Sequence, residues 1–272
     1  MALTDFQREV CRLLAKHRIA SGEAYFAGGA TLNELIQASR ISRDIDLFHD
    51  SEEALAAAWQ ADRELLESNR FTVTVVRERP SFVEAGVARD GERLLLQWAR
   101  DSAYRFFPLI EHDELGLVLH PFDLATNKVL ALVGRVEVRD WVDVIHCDRT
   151  IQPLGYLAWA ACGKDPGFGP AGILEQAGRS ARYSAEEVAE LSFAGTPPDP
   201  MELSKKWHRS LNLARQVVEL LPPDQVGKCA IASESELYRG GVPELRAALE
   251  RDEIAYHAGS IRGAFPQIVD EG

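Results

Sequence analysis

The chain has 272 residues, of which 46% are hydrophobic, and a formal net charge of −12. This length allows one or two domains with a sizeable buried core. The acidic balance argues against a broad, sequence-independent grip on nucleic acid, which depends on clustered lysine and arginine, although it leaves room for one local basic strip. No apolar run approaches the ~18 residues of a membrane-spanning helix, and the N-terminal residues lack the layout of a secretory signal.

Four cysteines lie far apart in the chain, without the Cys-x-x-Cys pairs or nearby histidines that are typical of zinc sites. They are Cys11, Cys147, Cys162 and Cys229. Cysteines spaced in this way predict reduced thiols in a cytoplasmic protein.

The first 121 residues mix strand and helix patterns. Period-two alternation with β-branched residues predicts strands, and apolar residues at helical spacing predict helices. The strands are expected at 25–27, 43–48, 71–76, 82–88 and 93–99. The helices are expected at 4–19, 30–39 and 51–69. Ser51 is a suitable N-cap for the third helix, and Asp90-Gly91 predicts a hairpin turn between the last two strands.

After Pro121 the periodicity is helical and is interrupted by proline-containing loops. This change predicts an α+β fold, in which a small mixed-sheet domain over 1–121 precedes an all-helical domain over 122–272. One of the later helices carries a basic strip, residues 204–209, beside an apolar face. The strip is a candidate nucleic-acid contact, but an ordinary amphipathic helix with a solvated basic face is the simpler interpretation.

Two short motifs in the mixed-sheet region carry the chemistry. Gly28-Gly29 precedes a helix, so the backbone can approach a phosphate closely and the helix N-terminus offers N–H groups and a positive dipole end. Asp44 and Asp46 alternate with apolar residues, which places both carboxylates on one face of a strand. Two carboxylates this close repel unless a cation lies between them, and oxygen ligands of this kind suit Mg²⁺ or Mn²⁺. Together the motifs predict a site for a nucleoside triphosphate and a metal.

Each motif alone has a plainer interpretation. A Gly-Gly pair is usually a tight turn, and an Asp-x-Asp pair is usually a solvated strand edge. Their order, their separation by one helix and their apolar flanks favour the functional interpretation.

The residues around these motifs resemble a known family. Gly-Gly-x-x-Leu at 28–32 and Arg-x-Ser-x-Asp-x-Asp-x-Phe at 40–48 are similar to the first motif of the AbiEii/AbiGii-type nucleotidyltransferases. These are abortive-infection toxins of the polymerase-β-like nucleotidyltransferase superfamily. A second block is similar to the later motifs of the family, with Lys128 followed by Arg135 and the Arg-Asp-Trp-Val-Asp run at 139–143.

The resemblance implies how the first block binds substrate. Asp44 and Asp46 would hold Mg²⁺, which neutralises charge on the triphosphate. The Gly28-Gly29 backbone would bind the terminal phosphates, with Ser42 adding a hydroxyl. Arg40 would anchor the same phosphates, although pairing with one of the two aspartates is equally open.

The second block carries the remaining implied roles. Lys128 would reach the triphosphate as a point charge, its alternative being a surface lysine. Asp140 and Asp143 would orient Lys128 or the base of the nucleotide. A plain helix-surface pair between Arg139 and Asp143 is the alternative for this helix.

The third carboxylate of the superfamily has no match at the expected place. That residue lies on a strand beside the Asp-x-Asp strand and acts as general base or metal ligand. The equivalent position here is Gln97, and neutral glutamine cannot accept a proton at pH 7. Three alternatives stay open: Asp101 supplies the carboxylate and binds the metal, the site works with two carboxylates, or the chemistry is lost. If it is not in the site, Asp101 is a strand-end residue pairing with Arg100 or Arg105.

The resemblance implies an NTP as substrate and transfer RNA as acceptor, with a cognate antitoxin as protein partner and no membrane. Beyond residue 150 no motif selects the acceptor. Tyr156, Trp159 and Trp207 are able to stack on a base, but aromatic residues at helical spacing more often belong to a core.

Alternatively, the protein is a catalytically silent relative that binds nucleotide or a partner protein. Gln97 is the residue that suggests this alternative. A metal-dependent phosphohydrolase is a third possibility, which the glycine turn fits less well.

Overall fold

The computed structural model describes residues 2–18, 22–180, 183–232 and 236–266, so that residue 19 of the first predicted helix lies outside the described residues. The chain forms two compact units. The first comprises Met1–Tyr104, Leu109–His120 and Ser192–Gly195, and the second comprises Arg105–Pro108, Pro121–Leu191 and Thr196–Gly272. The two units do not meet at a single point in the sequence. Arg105–Pro108 belongs to the second unit although it precedes residue 122, and Ser192–Gly195 belongs to the first unit although it follows it.

The strands, in chain order, are β1 (Ala24–Ala27), β2 (Arg40–Ile41), β3 (Asp44–His49), β4 (Thr72–Arg79), β5 (Phe82–Arg89), β6 (Glu92–Arg100), β7 (Tyr104–Arg105), β8 (Ile110–His112), β9 (Gly116–Val118), β10 (Ser192–Phe193), β11 (Lys228–Ala232), β12 (Ile254–Ala258) and β13 (Ser260–Ile261). The helices are α1 (Asp5–Arg18), α2 (Gly28–Leu35), α3 (Glu52–Ser68), α4 (Pro121–Arg135), α5 (Val138–Thr150), α6 (Leu154–Ala161), α7 (Pro170–Ser180), α8 (Ala185–Ala189), α9 (Pro200–Leu220) and α10 (Val242–Glu250). Each element predicted within the first 121 residues is confirmed, with small shifts at its ends.

The first unit is built on a seven-stranded mixed sheet with the order β4-β5-β6-β3-β1-β9-β8. β3 runs parallel to β6 and antiparallel to β1. β5 and β6 form the predicted hairpin, in which Arg89 lies opposite Glu92 across the Asp90-Gly91 turn. The expected α+β fold with a mixed sheet is thus confirmed.

One face of this sheet packs against α1 and α3. Phe6 and Leu14 of α1 share a core with Leu55 of α3 and with Trp98 of β6. The indole Nε1 of Trp98 donates to Asp62 Oδ2 at 2.7 Å, which satisfies a polar group inside the core. The opposite face of the sheet is therefore the one that carries the polar side chains of β3.

Ser192–Gly195, which we call the strap, belongs to the first unit although the sequence around it belongs to the second. Ser192 lies opposite Ile41 and Phe193 opposite Arg40, so that β10 and β2 form a short antiparallel pair. The Ala194 N–H also donates to the carbonyl oxygen of Ser39 at 2.6 Å. The strap thus holds the backbone that leads into β3.

The second unit is mainly helical, but the prediction that it is all-helical is wrong because it also contains strands. β11 and β12 pair antiparallel, with Cys229 opposite His257. The pair packs in a core with Tyr156, Trp159 and Leu245. A five-residue strand is too short for the periodicity of its apolar residues to separate a strand from a helix, which explains the failure. Among the helices that the structure describes, none is long and apolar enough to cross a membrane.

Candidate functional site

The two aspartates of β3 lie on the same face of the sheet. Ile45 and Leu47, which alternate with them, are 1% and 0% exposed and belong to the core, whereas Asp44 and Asp46 are half-buried. The alternation predicted for this strand is confirmed. Two carboxylates held at this spacing repel each other, so a cation between them would be stabilising.

Gly28 lies directly against the second aspartate. Ala27 is opposite Asp46 in the β1–β3 pair, and Gly28 then begins α2 with a φ of +69°. A Cβ atom at Gly28 would lie 1.6 Å from Asp46 Oδ2 and 2.8 Å from Asp46 Cβ. Because only glycine leaves room for this carboxylate, the glycine turn and the aspartate pair form one site.

The groups at this site fit a phosphate and a hard divalent cation. Gly28 is the first residue of α2 and lies against Asp46, so the positive N-terminal end of this helix is next to that carboxylate. Asp44 and Asp46 offer only oxygen, the donor that Mg²⁺ and Mn²⁺ prefer. Within the described residues no three His, Cys, Asp or Glu side chains are grouped to hold a metal. A cation held here would therefore also take oxygen from a substrate or a neutral side chain.

Ser42 and Arg40 lie at the entrance to β3 and are both buried. Ser42 Oγ donates to Asp44 Oδ1 at 2.8 Å, and the carbonyl oxygen of Ser42 accepts from Gln7 Nε2 at 2.8 Å. Ser42 therefore helps to orient Asp44. Arg40 lies in β2, where it pairs with the strap.

Gln97 and Asp101 lie at different positions along the sheet: Gln97 is within β6, and Asp101 follows the end of that strand. Gln97 lies directly opposite Asp46 in the parallel pair of β3 and β6. Asp101 lies four residues further on, about 13 Å along a strand. Its carboxylate accepts hydrogen bonds from Tyr25 Oη at 3.4 Å and from the Ser102 N–H at 2.7 Å. The structure thus brings Gln97, and not Asp101, beside Asp44 and Asp46.

Glu84 is a neighbour of this site that the motif analysis missed. It lies opposite Gln97 in the antiparallel pair of β5 and β6, and it accepts a hydrogen bond from Gln97 Nε2 at 2.9 Å. A signal for it exists in the sequence. A two-residue turn at Asp90-Gly91 fixes the register of the hairpin, and that register puts residue 84 opposite residue 97.

Lys128, Asp140 and Asp143 meet in a buried ion-pair cluster inside the second unit. Lys128 Nζ lies 2.9 Å from Asp140 Oδ1 and 3.1 Å from Asp143 Oδ2, and both aspartates are 0% exposed. Arg135 Nε adds a contact of 2.8 Å to Asp140 Oδ2. Lys128 is therefore not a surface lysine, and it contacts both aspartates of the second block. Arg139 forms an ion pair with Glu137, the N-cap residue of α5.

The electrostatics of this cluster favour ionised aspartate. Burial by itself would raise the pKa of Asp140, but the nearby charges and hydrogen bonds of Lys128 and Arg135 outweigh burial and hold that pKa below its ordinary value. Lys128 and Arg135 thus oppose the charges of Asp140 and Asp143 inside the protein. Removing one of these side chains would take a charged partner from a buried group.

A second buried ion pair in the same unit was not predicted. Asp123 accepts hydrogen bonds from the N–H groups of Phe106 at 2.8 Å and Phe107 at 3.0 Å, and Lys164 Nζ lies 2.8 Å from its Oδ1. Asp123 therefore fixes the segment Arg105–Pro108 to α4. A contact of this kind joins distant parts of the chain and leaves no spacing pattern to detect.

The basic strip lies on the exposed side of α9. Trp207 is buried, whereas Lys205, Lys206 and Arg209 are exposed on the opposite side of α9. Lys205 pairs with Glu202 at 2.7 Å. The strip is the solvated face of an amphipathic helix.

The aromatic side chains considered for base stacking belong to the core of the second unit. Tyr156 Oη donates to the carbonyl oxygen of Gly240 at 2.8 Å, and Trp159 Nε1 donates to that of Gln225 at 2.7 Å. Both side chains are buried with their polar ends satisfied, so packing accounts for them.

The fold of this chain is similar to that of solved structures. MenT4, a nucleotidyltransferase toxin of Mycobacterium tuberculosis, is 18% identical with a TM-score of 0.55, over 80% of this chain and 83% of that chain. JHP933 of Helicobacter pylori is 14% identical with a TM-score of 0.50, over 80% of this chain and 95% of that chain. No protein-family model and no curated protein sequence matches the chain. The protein therefore has a fold that occurs in nucleotidyltransferases, while the AbiEii/AbiGii resemblance stays a prediction from its motifs.

Proposed function

We infer that this protein is a cytoplasmic nucleotidyltransferase that depends on Mg²⁺ or Mn²⁺ and acts as the toxin of a toxin–antitoxin or abortive-infection pair. It moves a nucleoside monophosphate from an NTP to an acceptor, and the acceptor that we propose is transfer RNA. The observation that carries the proposal is the fit of Asp46 against Gly28, which unites a phosphate-binding turn with a pair of carboxylates. The fold shared with MenT4, a nucleotidyltransferase toxin, supports the class of reaction. The four free, buried cysteines support the compartment.

The residues of the first unit would act by binding and orientation. A divalent cation bound by Asp44 and Asp46 supplies charge neutralisation to the triphosphate. The first N–H groups of α2 bind phosphate oxygens, and Ser42 holds Asp44 in position. In the transfer, an acceptor hydroxyl oxygen bonds to the α-phosphorus, pyrophosphate leaves, and the hydroxyl proton passes to solvent. Asp101 has no part in this proposal because its carboxylate lies at the far end of β6.

The second candidate is a nucleotide-binding relative without transferase activity. Gln97 is the observation that favours it, because the side chain opposite Asp46 cannot serve as a general base. Such a protein would still bind metal and triphosphate through Asp44, Asp46 and the glycine turn.

The experiment that tests the proposal is the transfer of label from NTPs labelled at the α-phosphate into a total transfer-RNA pool with Mg²⁺. The wild type is compared with Asp46→Asn and with Asp90→Asn, a matched substitution at an exposed hairpin turn. We expect Asp46→Asn to lose at least 100-fold in transfer, since it removes a charged metal ligand, and Asp90→Asn to keep wild-type activity.

We expect Asp44→Ala and Asp46→Ala to stay folded without metal, because relief of the repulsion between the two carboxylates offsets lost contacts such as the hydrogen bond from Ser42 Oγ to Asp44. Their unfolding in the absence of metal would mean that the pair is structural. Binding of an NTP without transfer to any acceptor would favour the second candidate.

A further inference from the structure

Glu84, Gln97 and Asp46 form one row across three adjacent strands. Gln97 lies opposite Glu84 on one side and opposite Asp46 on the other, in the order β5-β6-β3. Directly opposed residues of a sheet point to the same face. All three side chains are half-buried, whereas their neighbours Val83 and Trp98 are buried in the core. The row therefore lies on the face that carries the aspartate pair.

The hydrogen bond between Gln97 and Glu84 fixes the polarity of the Gln97 amide. Gln97 Nε2 donates to Glu84 Oε1 at 2.9 Å. An ionised carboxylate only accepts hydrogen bonds, so it selects the NH₂ end of the amide. The amide oxygen Oε1 is then directed away from Glu84, and Asp46 lies on that side of Gln97 in the row. Without Glu84 the amide would be free to present its NH₂ group, which would repel a cation.

We propose that Glu84 is a positioning residue, which holds Gln97 so that Oε1 is a neutral ligand for the divalent cation of Asp44 and Asp46. This inference rests on the proposed function, because it assumes that cation. Glutamine carbonyl oxygens are established ligands of hard cations, and partners that orient a ligand contribute strongly to metal affinity. The glutamine then has the place of a ligand, and two of these three ligands carry a negative charge.

The test measures binding of Mn²⁺ alone to the full chain, from the electron paramagnetic resonance signal of free Mn²⁺. The variants are Glu84→Leu, Glu84→Gln, Gln97→Leu and the double variant Glu84→Leu/Gln97→Leu. Glu92→Leu is the matched control, because it removes an exposed carboxylate from the same hairpin. Asp46→Asn is the reference for the loss of the cation site itself, and thermal unfolding checks that each variant is folded.

We expect Glu84→Leu and Gln97→Leu each to weaken Mn²⁺ binding about tenfold. The double variant is no weaker than either, because both side chains act through one oxygen atom. Glu84→Gln keeps an acceptor for Gln97 Nε2 and loses less than Glu84→Leu, and Glu92→Leu binds like the wild type.

Two results would overturn this assignment while leaving the cation site in place. In the first, Glu84→Leu binds Mn²⁺ like Glu92→Leu although Asp46→Asn does not bind. In the second, Glu84→Gln and Glu84→Leu are equally weak and Glu84→Leu still has its full effect when Gln97 is leucine, which would mean that Glu84 acts only through its charge. If Asp46→Asn binds like the wild type, the cation site and the proposed function fail together.

Discussion

At the scale of single residues, Gly28 is where the predicted turn and the predicted carboxylate pair meet. We expect Gly28→Ala to lower the free energy of unfolding by about 1–3 kcal/mol, because its Cβ overlaps Asp46. Rotation of Asp46 cannot remove the overlap, since the Cβ of Asp46 would itself lie 2.8 Å away. Asp46 is displaced, so Mn²⁺ binding should fall together with stability. Urea unfolding and Mn²⁺ titration measure the two effects.

Gly22→Ala is the control for backbone strain at this position. Gly22 has a φ of +66°, close to that of Gly28, and a Cβ placed there would meet nothing within 4 Å. Both variants therefore carry the cost of a side chain at positive φ, and only Gly28→Ala carries the overlap. Equal stability and equal Mn²⁺ affinity in the two variants would contradict the coupling of the glycine turn to Asp46.

Lys128 is the cation on which two buried carboxylates depend. Lys128→Met keeps the length of the side chain but leaves Asp143 buried without this charge, and we expect a loss of about 3–5 kcal/mol in the free energy of unfolding. The double variant Lys128→Met/Asp143→Asn should regain part of the lost free energy of unfolding. Lys205→Met, at an exposed position of α9, should leave the unfolding midpoint unchanged. Equal midpoints for Lys128→Met and Lys205→Met would contradict the account of this cluster.

The lowered pKa of Asp140 links the same cluster to pH. A carboxyl group whose pKa is lower in the folded than in the unfolded protein stabilises the fold above its unfolded pKa, near ~3.9, and loses that contribution as pH falls through the folded pKa. We expect Asp140→Asn to be less stable than the wild type at pH 7, with the difference shrinking below about pH 4. Urea unfolding from pH 7 to pH 3 measures it, and a constant difference over this range would be the contrary outcome.

At the scale of elements, the strap holds the strand that leads into the aspartate pair. Ala194→Pro removes the N–H that donates to the carbonyl oxygen of Ser39, while Ala194→Val keeps it. We expect faster amide hydrogen exchange over residues 39–42 in Ala194→Pro, with little change elsewhere in the sheet. Ala194→Val should exchange like the wild type, and the same result for Ala194→Pro would show that the strap does not stabilise β2.

Local patterns account for what the sequence predicted correctly. The alternation of Asp44 and Asp46 with apolar residues identified β3 and its two faces, and Asp90-Gly91 identified the β5–β6 hairpin. The prediction of Ser51 as the N-cap of α3 is confirmed, because Ser51 Oγ accepts a hydrogen bond from the Ala54 N–H at 3.1 Å. Each of these features depends on residues that are close in sequence.

The features that escaped prediction join distant parts of the chain. Ser192 pairs with Ile41 across about 150 residues, and Lys164 reaches Asp123 from another helix. Spacing within one segment contains no information on such pairs. Glu84 is different, because it lies opposite Gln97 in a hairpin whose register the Asp90-Gly91 turn predicts.

At the scale of the whole molecule, an acidic chain is proposed to act on a polyanionic substrate. The net charge of −12 disfavours binding through general attraction to phosphate. Recognition would instead depend on a small number of groups, namely the N-terminus of α2 and a cation bound by Asp44 and Asp46. Activity should therefore require the divalent cation and be lost in excess chelator.

The most direct measurement of the central claim is release of pyrophosphate from each of the four NTPs, with Mg²⁺ and a total transfer-RNA pool, by the wild type and by Asp46→Ala. The account predicts pyrophosphate with at least one NTP in the wild type and at most ~1% of that rate in the variant. Release of orthophosphate in place of pyrophosphate would indicate a phosphohydrolase. Equal release by the wild type and Asp46→Ala would contradict the role of the aspartate pair.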